Sequence, residues 1–440
     1  DTNTAVGNWA TIGGGSTNEI PAGYANTIAG GDSNLIDGEY AATIGGGSHN
    51  VARGINATIG GGGAENALFG NHATGDYSTV SGGSSNYASA AFATIGGGGR
   101  TVSTDPDSGN LVSDDFGTVG GGGNNQAGDD AGTTQDHSFA TVGGGDSNTA
   151  SGAWSVIGGG YSNFASGWYA TVSGGQENEA TDPYGTIAGG AQNLAGNGVS
   201  RPLAGDGVGT EEDQPYATVG GGYSNVAYSG SSTVGGGYDN TASSPRATVG
   251  GGWVNTASGN AATVPGGASN IAGGAYSLAA GAQAHATHDG SFVWSSATAT
   301  DSWGTQTFTV RSHGGARFYS AAGTGTGVQL SAGGTSFGSI SDRSAKEAFA
   351  PVDTDRLLEV LAQMPVQTWN LKSQAAEVRH IGPVAQDFNG SFAYLFGEVE
   401  RPIHINNMDA VGVSLAASQG LYELSQEQAM EIAGLQAENA

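Results

Sequence analysis

Ala42-Thr43-Ile44-Gly45-Gly46-Gly47 decides the fold, because the chain keeps returning to it. Upstream it stands as Ala10-Thr11-Ile12-Gly13-Gly14-Gly15 and Asn26-Thr27-Ile28-Ala29-Gly30-Gly31. Far downstream it stands as Ala247-Thr248-Val249-Gly250-Gly251-Gly252 and Ala262-Thr263-Val264-Pro265-Gly266-Gly267. Sixteen such units occur, with the central Ile, Val or Leu at 12, 28, 44, 59, 80, 95, 119, 142, 157, 172, 187, 219, 234, 249, 264 and 278. Many spacings are 15 residues, and the longer ones read as 15 plus an insertion. Units this short cannot bury a hydrophobic face alone and must stack on their neighbours.

In most units an asparagine follows six residues after the aliphatic: Asn18, Asn34, Asn50, Asn86, Asn148, Asn163, Asn178, Asn193, Asn225, Asn240, Asn255 and Asn270. An alanine often comes two residues later (Ala150, Ala165, Ala227, Ala242, Ala257, Ala272). Such a unit holds two brief strands and two turns. The aliphatic points inward onto its equivalent in the next coil, and the small alanine fills a thinner second inward strand. The glycines supply positive φ and close backbone approach at one corner. Asparagine tolerates the left-handed region or caps a turn, and in register it forms a ladder. Sixteen coils at ~4.8 Å each give a shaft of about 75 Å. One aliphatic and one alanine per coil make a thin core, which trimerisation would thicken.

Glycine contributes 82 of the 440 residues, proline 11, and charged residues 12%. Without a strict triplet, this composition excludes collagen, and the scarcity of proline argues against a proline-rich linker. A net charge of −27 excludes nucleic acid as a partner, since little could neutralise phosphates. It also disfavours an anionic membrane surface, and it keeps a long particle soluble. There is no cysteine, hence no disulfide or thiolate metal site. No apolar run reaches the ~18 residues that membrane insertion needs. No signal-peptide pattern opens the sequence, which leaves a processed start at Asp1, or assembly inside a cell before release, as the readings.

Residues 5–285 resemble the left-handed parallel β-roll heads of trimeric autotransporter adhesins. The terminal unit Tyr276-Ser277-Leu278-Ala279-Ala280-Gly281-Ala282-Gln283-Ala284 matches best. The departures are the Gly-Gly-Gly corner and the 15-residue period, where that family commonly has 14. The resemblance implies a homotrimer and an adhesive role.

Insertions interrupt the period at about 67–76, 100–116, 126–138 and 197–215. They gather Asp105, Asp107, Asp114, Asp115, Asp129, Asp130, Asp136, Asp206, Glu211, Glu212 and Asp213. Insertions of this kind usually map to one face and are where binding is sought. Asp105-Pro106-Asp107-Ser108-Gly109-Asn110 opens like a calcium loop but lacks the distal Glu, and reads as a solvated acidic loop. Tyr24, Tyr161, Trp168, Tyr223, Tyr238 and Trp253 follow the glycine corner or sit at coil ends. They read as cover for the roll's edge or a trimer seam, with contact to a cell-surface glycan as the functional alternative.

The period stops near His288. Phe292-Val293-Trp294, Thr307–Arg311 and Ala316–Tyr319 alternate like half-buried strands, so 286–340 reads as a small β neck. His285, His288 and His313 have no spacing that supports a metal site. Beyond residue 340 the composition changes: both lysines, Lys346 and Lys372, lie there, and helical periodicity first appears in Thr354–Met364.

Ser341-Asp342-Arg343-Ser344-Ala345-Lys346-Glu347 closely resembles the opening of the endosialidase-type intramolecular chaperone, which ends many phage tail fibres and tailspikes. Pro365–Asn370, His380–Phe388 and the closing helix 412–439 strengthen that resemblance over 341–440. It implies a chaperone domain at 341–412 and a coiled coil at 413–440, which together trimerise and template the shaft. The resemblance further implies that the domain would then cut the chain between Ile340 and Ser341. Ser341 would be the nucleophile and Lys346 its base, with His380 and Gln386 as supporting groups. Ser344 and Ala345 depart from the family's more usual basic and aliphatic residues. Leu421, Leu424, Gln428, Ile432, Leu435 and Asn439 approach heptad spacing.

The expected protein is thus mostly β: a trimeric left-handed parallel β-roll at 1–285, a β neck, and an α+β chaperone domain ending in a trimeric coiled coil. Its expected function is that of a structural or adhesive extracellular fibre, with a tail fibre or tailspike as the alternative. Self-cleavage is the only chemistry expected, and no cofactor or metal is called for. The expected partners are the chain itself and a cell-surface glycan or protein receptor.

Overall fold

The computed structural model describes residues 2–64, 66–99, 101, 105, 108–197, 216–320, 326–396 and 403–438. They divide into two compact units, Asp1–Ser312 and His313–Ala440. The first is a parallel β-solenoid in which each repeat makes one coil. The Thr-Ile/Val pairs stack in register: Thr43 pairs with Thr58 and Ile44 with Ile59, and far along the shaft Val249 pairs with Val264. The second pair of each coil does the same, Thr241 on Thr256 and Ala242 on Ala257. A third ladder of single bridges runs through the residue after the glycines, as in Tyr223–Tyr238–Trp253.

Successive strand residues point to opposite faces, so the second member of each pair turns inward. Ile44, Ile59, Val249 and Val264 are completely buried, as are Ala242 and Ala257. The residue that opens each unit is a third inward position, held by Ala42, Ala57, Ala93, Ala247 and Ala262, all buried. Most coils therefore contribute one branched aliphatic and two small residues to the core, while Ile20, Ile36 and Val112 each add a second buried aliphatic to theirs.

Backbone geometry explains the glycine corner. At Gly47 φ is +87°, and a Cβ there would lie 2.0 Å from the Gly62 carbonyl oxygen and 2.7 Å from Asn50 Nδ2. Two further positions per coil have positive φ without being glycine. One precedes the buried asparagine (His49 +57°, Ser162 +55°, Val254 +53°), and the other comes just before the residue that opens the unit (Tyr77 +60°, Phe116 +60°, Tyr184 +59°). The asparagine itself is not the left-handed residue; the one before it is. Each such residue costs of order 1 kcal/mol or more, so the coil needs strong local bonding to hold it.

The asparagine ladder supplies that bonding. Asn163 Nδ2 donates to Asn148 Oδ1 (3.0 Å), Gly159 O (3.0 Å) and Gly175 O (2.9 Å). Its Oδ1 accepts from the backbone N–H and the Nδ2 of Asn178. The pattern repeats from Asn18 to Asn270 with every member buried. It ends on Asn3 at one side and on the Ala284 N–H at the other. Asn71, Asn110 and Asn125 complete it.

Ladder continuity also locates the insertions. Strands His72–Ala73, Leu111–Val112 and Gln126–Ala127 are regular coil elements. The extra residues therefore fall at about 64–70, 99–109 and 128–138, tighter than the sequence reading drew them. Pro106, Asp107 and 198–215, with Asp206, Glu211, Glu212 and Asp213, lie outside the described residues. Parallel stacking also continues past residue 285: Leu278–Ala282 pairs with Phe292–Ser295, and that strand with Phe308–Arg311. Two strands expected in the neck thus belong to the solenoid, because hydrogen bonding needs the coil and not the 15-residue period. His285 Nδ1 contacts Asp301 Oδ1 at 2.9 Å and His288 Nδ1 contacts Ser302 Oγ at 2.8 Å, so each imidazole has a local partner.

The second unit opens with a three-stranded antiparallel sheet, Gly315–Tyr319, Thr326–Ser331 and Gly338–Ser341 in that order. Helix α1 (Thr354–Gln363), the hairpin Gln367–Trp369/His380–Gly382, α2 (Ala385–Ser391), α3 (Ala393–Phe396) and the long α4 (Asn407–Glu438) follow. Its core joins Leu357, Phe388, Phe392, Val413, Ala416 and Ala417. Buried Gly420 lets α4 approach α1, since a Cβ there would meet Thr354 Cβ at 2.9 Å. Beyond it, α4 leaves Leu421, Leu424, Ile432 and Leu435 exposed. No described helix is long and apolar enough to cross a membrane.

Candidate functional site: a serine–lysine pair and an aromatic ladder

Ser341 is the last residue of the edge strand Gly338–Ser341, paired opposite Thr326, with Ile340 opposite Gly327. Asp342 then ends the strand. Its Oδ1 accepts from the Ser344 N–H at 2.8 Å, capping a 3₁₀ turn over Arg343–Ala345. Hydrogen bonds from the Ser344 backbone and side chain hold the Asp342 carboxyl below its ordinary range. The turn reverses the chain so that Lys346, five residues on, faces back to the strand, and Lys346 Nζ donates to Ser341 Oγ. Arg343 packs its guanidinium 4.4 Å from the Phe349 ring centre, which anchors the far side of the turn. Ser341, Lys346 and the Ile340–Ser341 bond thus share one strand end. Ser341 and Lys346 are both exposed.

His380 and Gln386 stand apart from this pair. The His380 ring stacks on Trp369 at 4.7 Å and its Nε2 contacts Gln374 Oε1 at 2.8 Å, while Gln386 lies exposed in the first turn of α2. Among the described residues no hydrogen bond links either of them to Ser341 or Lys346.

On the shaft, one feature escaped the sequence reading. Tyr77, Phe92, Phe116, Phe139, Trp154, Tyr169, Tyr184 and Tyr216 form one continuous stack, with ring centres 4.0–6.0 Å apart and planes 2–23° from parallel. All eight occupy the left-handed corner that precedes a unit's opening residue. They are 37–55% exposed. Each interior ring spends both faces on its neighbours, so its edge and not its face meets solvent. Of the aromatics marked in the sequence, Tyr223 and Tyr238 stack on each other at 5.4 Å. Trp168 joins Phe139, Trp154, Tyr169, Gln135 and Asp136 around an open cavity of about 280 Å³.

No curated protein matches the chain. Residues 341–395, beginning at Ser341 itself and following the β-solenoid, match the family described as the chaperone of endosialidase.

Proposed function

We propose that the chain is the shaft and assembly domain of a homotrimeric extracellular fibre, carried on a virion tail or a cell surface. Its C-terminal domain templates the trimer and then cuts itself off before Ser341. The observation that carries this reading is the Lys346 Nζ–Ser341 Oγ contact at the first residue of the matched segment. Lys346 Nζ, as the base, takes the hydroxyl proton as Ser341 Oγ attacks the Ile340 carbonyl carbon. The Oγ–C bond forms, the Ile340–Ser341 C–N bond breaks, and the proton passes to the departing Ser341 nitrogen. Water then hydrolyses the ester, leaving a carboxylate on Ile340 and a free hydroxyl and amine on Ser341. The reaction is intramolecular, so positioning supplies much of the acceleration. His380 and Gln386 are assigned no bond-making part.

Self-association is supported by the apolar residues that α4 leaves uncovered, Leu421, Leu424, Ile432 and Leu435, near the spacing of a parallel coiled coil. A receptor-binding role is the second reading, favoured by the aromatic cavity beside Trp168, whose mixed lining suits a glycan. Intact-mass measurement of the purified full chain tests the first reading. Fragments 1–340 and 341–440 are expected, and Ser341→Ala should leave one uncut chain. Fragments that persist unchanged in Ser341→Ala would sink the pair's assignment, and light scattering that shows a monomer would sink the trimer.

A further inference from the structure

Away from the serine–lysine pair, one group of ionisable side chains turns its ligand atoms on itself. In the insertion at 128–138, Asp129, Asp136 and His137 fold back over the coil that carries Asp114. One ligand atom from each of the four lies within 4.8 Å of all the others. His137 Nδ1 is 3.1 Å from Asp129 Oδ2 and 3.8 Å from Asp136 Oδ1. It meets neither in hydrogen-bond geometry, and both this nitrogen and Asp136 Oδ1 are buried without a hydrogen-bond partner. Asp114 beneath them is only 1% exposed. Its Oδ2 accepts one hydrogen bond, from the Asp129 N–H at 2.9 Å.

Two physical rules bear on this cluster. Buried polar atoms are almost always partnered, and an orphan calls for an explanation such as an ion. Buried charge is held by a counter-charge or a metal. Here three carboxylates face one imidazole, and no lysine or arginine pairs with them among the described residues. The spacing is that of a shared centre: two atoms bound to one ion at roughly 2.0–2.4 Å lie about 2.8–4.8 Å apart.

We propose that Asp114, Asp129, Asp136 and His137 form a site for a divalent first-row transition cation. The imidazole suits Zn²⁺ and the three carboxylates also suit Mn²⁺, whereas Ca²⁺ and Mg²⁺ prefer oxygen donors alone. The ion would clip the insertion onto its coil, adding to the two hydrogen bonds that the Asp129 and Asp130 N–H groups give to Asp114 Oδ2 and Ser113 Oγ.

The test uses the full chain, stripped with EDTA, dialysed, and titrated separately with Mn²⁺, Zn²⁺ and Ca²⁺ by calorimetry. One Mn²⁺ or Zn²⁺ per chain is expected, with Ca²⁺ weaker. His137→Ala and the partly exposed Asp136→Ala should each weaken binding at least about tenfold while the circular dichroism of the shaft is unchanged. Absence of stoichiometric Mn²⁺ or Zn²⁺ binding in the native sequence, equal affinity in folded variants, or tighter binding of Ca²⁺ would each overturn the proposal.

Discussion

Replacing Asn163 by alanine is the sharpest probe of what holds the shaft together. The side chain forms four hydrogen bonds' worth of contact: its two N–H groups are shared among Asn148 Oδ1, Gly159 O and Gly175 O, and its Oδ1 accepts two bonds from Asn178. Gly175 O keeps a second donor, the Tyr161 N–H. The buried Asn178 N–H, however, loses the acceptor that Asn163 Oδ1 provides. At about 1 kcal/mol net per bond, and 1–3 kcal/mol for an orphaned buried donor, the loss comes to roughly 4–6 kcal/mol. In a solenoid this cost falls on nearest neighbours and not on the whole molecule. Native-state hydrogen exchange read by mass spectrometry should therefore show faster exchange of amides in the coils around Asn148–Asn178. The expected acceleration is roughly a thousandfold to ten-thousandfold, at about 1.4 kcal/mol per factor of ten. Coils around Asn18–Asn50 should keep their protection. Thr171→Ala, which removes a side chain from the outward position of the next coil, is the control. Acceleration below about tenfold, or equal acceleration in the control, would refute the ladder as the principal local restraint.

Two further outcomes follow from the same coils. Phe116→Ala removes a ring lying 4.7 Å from both Phe92 and Phe139. It should cost about 1 kcal/mol for each lost stack and reduce the near-ultraviolet circular dichroism; unchanged melting and spectrum would show that the stack adds no stability. Burial raises the Glu179 carboxyl above its ordinary range, so folding favours its protonated form, and that contribution is lost as pH rises through the raised value. Glu179→Gln should therefore melt slightly higher than the native sequence at pH 7, with the difference closing near about pH 4; a lower melting temperature at pH 7 would contradict the sign.

How much of this was legible in the sequence depended on whether the signal was local. The Thr-Ile/Val and Ala strands could be read because each coil repeats its own pattern, and Ala242 and Val249 are buried as that pattern requires. Asn71 and Asn110 escaped a count at fixed spacing because insertions precede them, yet their side chains rejoin the ladder. The aromatic stack did leave a signal: Tyr77, Phe92, Phe139 and Tyr169 each stand two residues before the start of a strand pair. Its meaning required knowing that this corner is left-handed and turns its side chains along the shaft. The Ser341–Lys346 pair is expected from the family resemblance of the segment 341–347, and the capped turn between them brings the two side chains together. The cluster of Asp114 with Asp129, Asp136 and His137 was not legible, because Asp114 lies a coil away from the insertion that covers it.

The ladders also change the argument for a trimer. A core of one aliphatic and small residues per coil reads as too thin for a lone chain, and that thinness was one ground for expecting three. In the single chain, however, Ile28, Ile44, Val172 and Val249 are already inaccessible to solvent. The asparagines satisfy one another from coil to coil, and the aromatics cover one another's faces. A shaft closed in this way gains little further burial from a partner along its inner strands. The apolar surface that a trimer would cover lies instead at the C-terminal helix, where Leu421, Leu424, Ile432 and Leu435 are 43–57% exposed. Four such side chains would each gain roughly 1.5 kcal/mol or more if buried. On the proposed trimeric reading, the driving force for association would lie in the segment that follows Ser341, and the shaft would propagate a register that this segment sets.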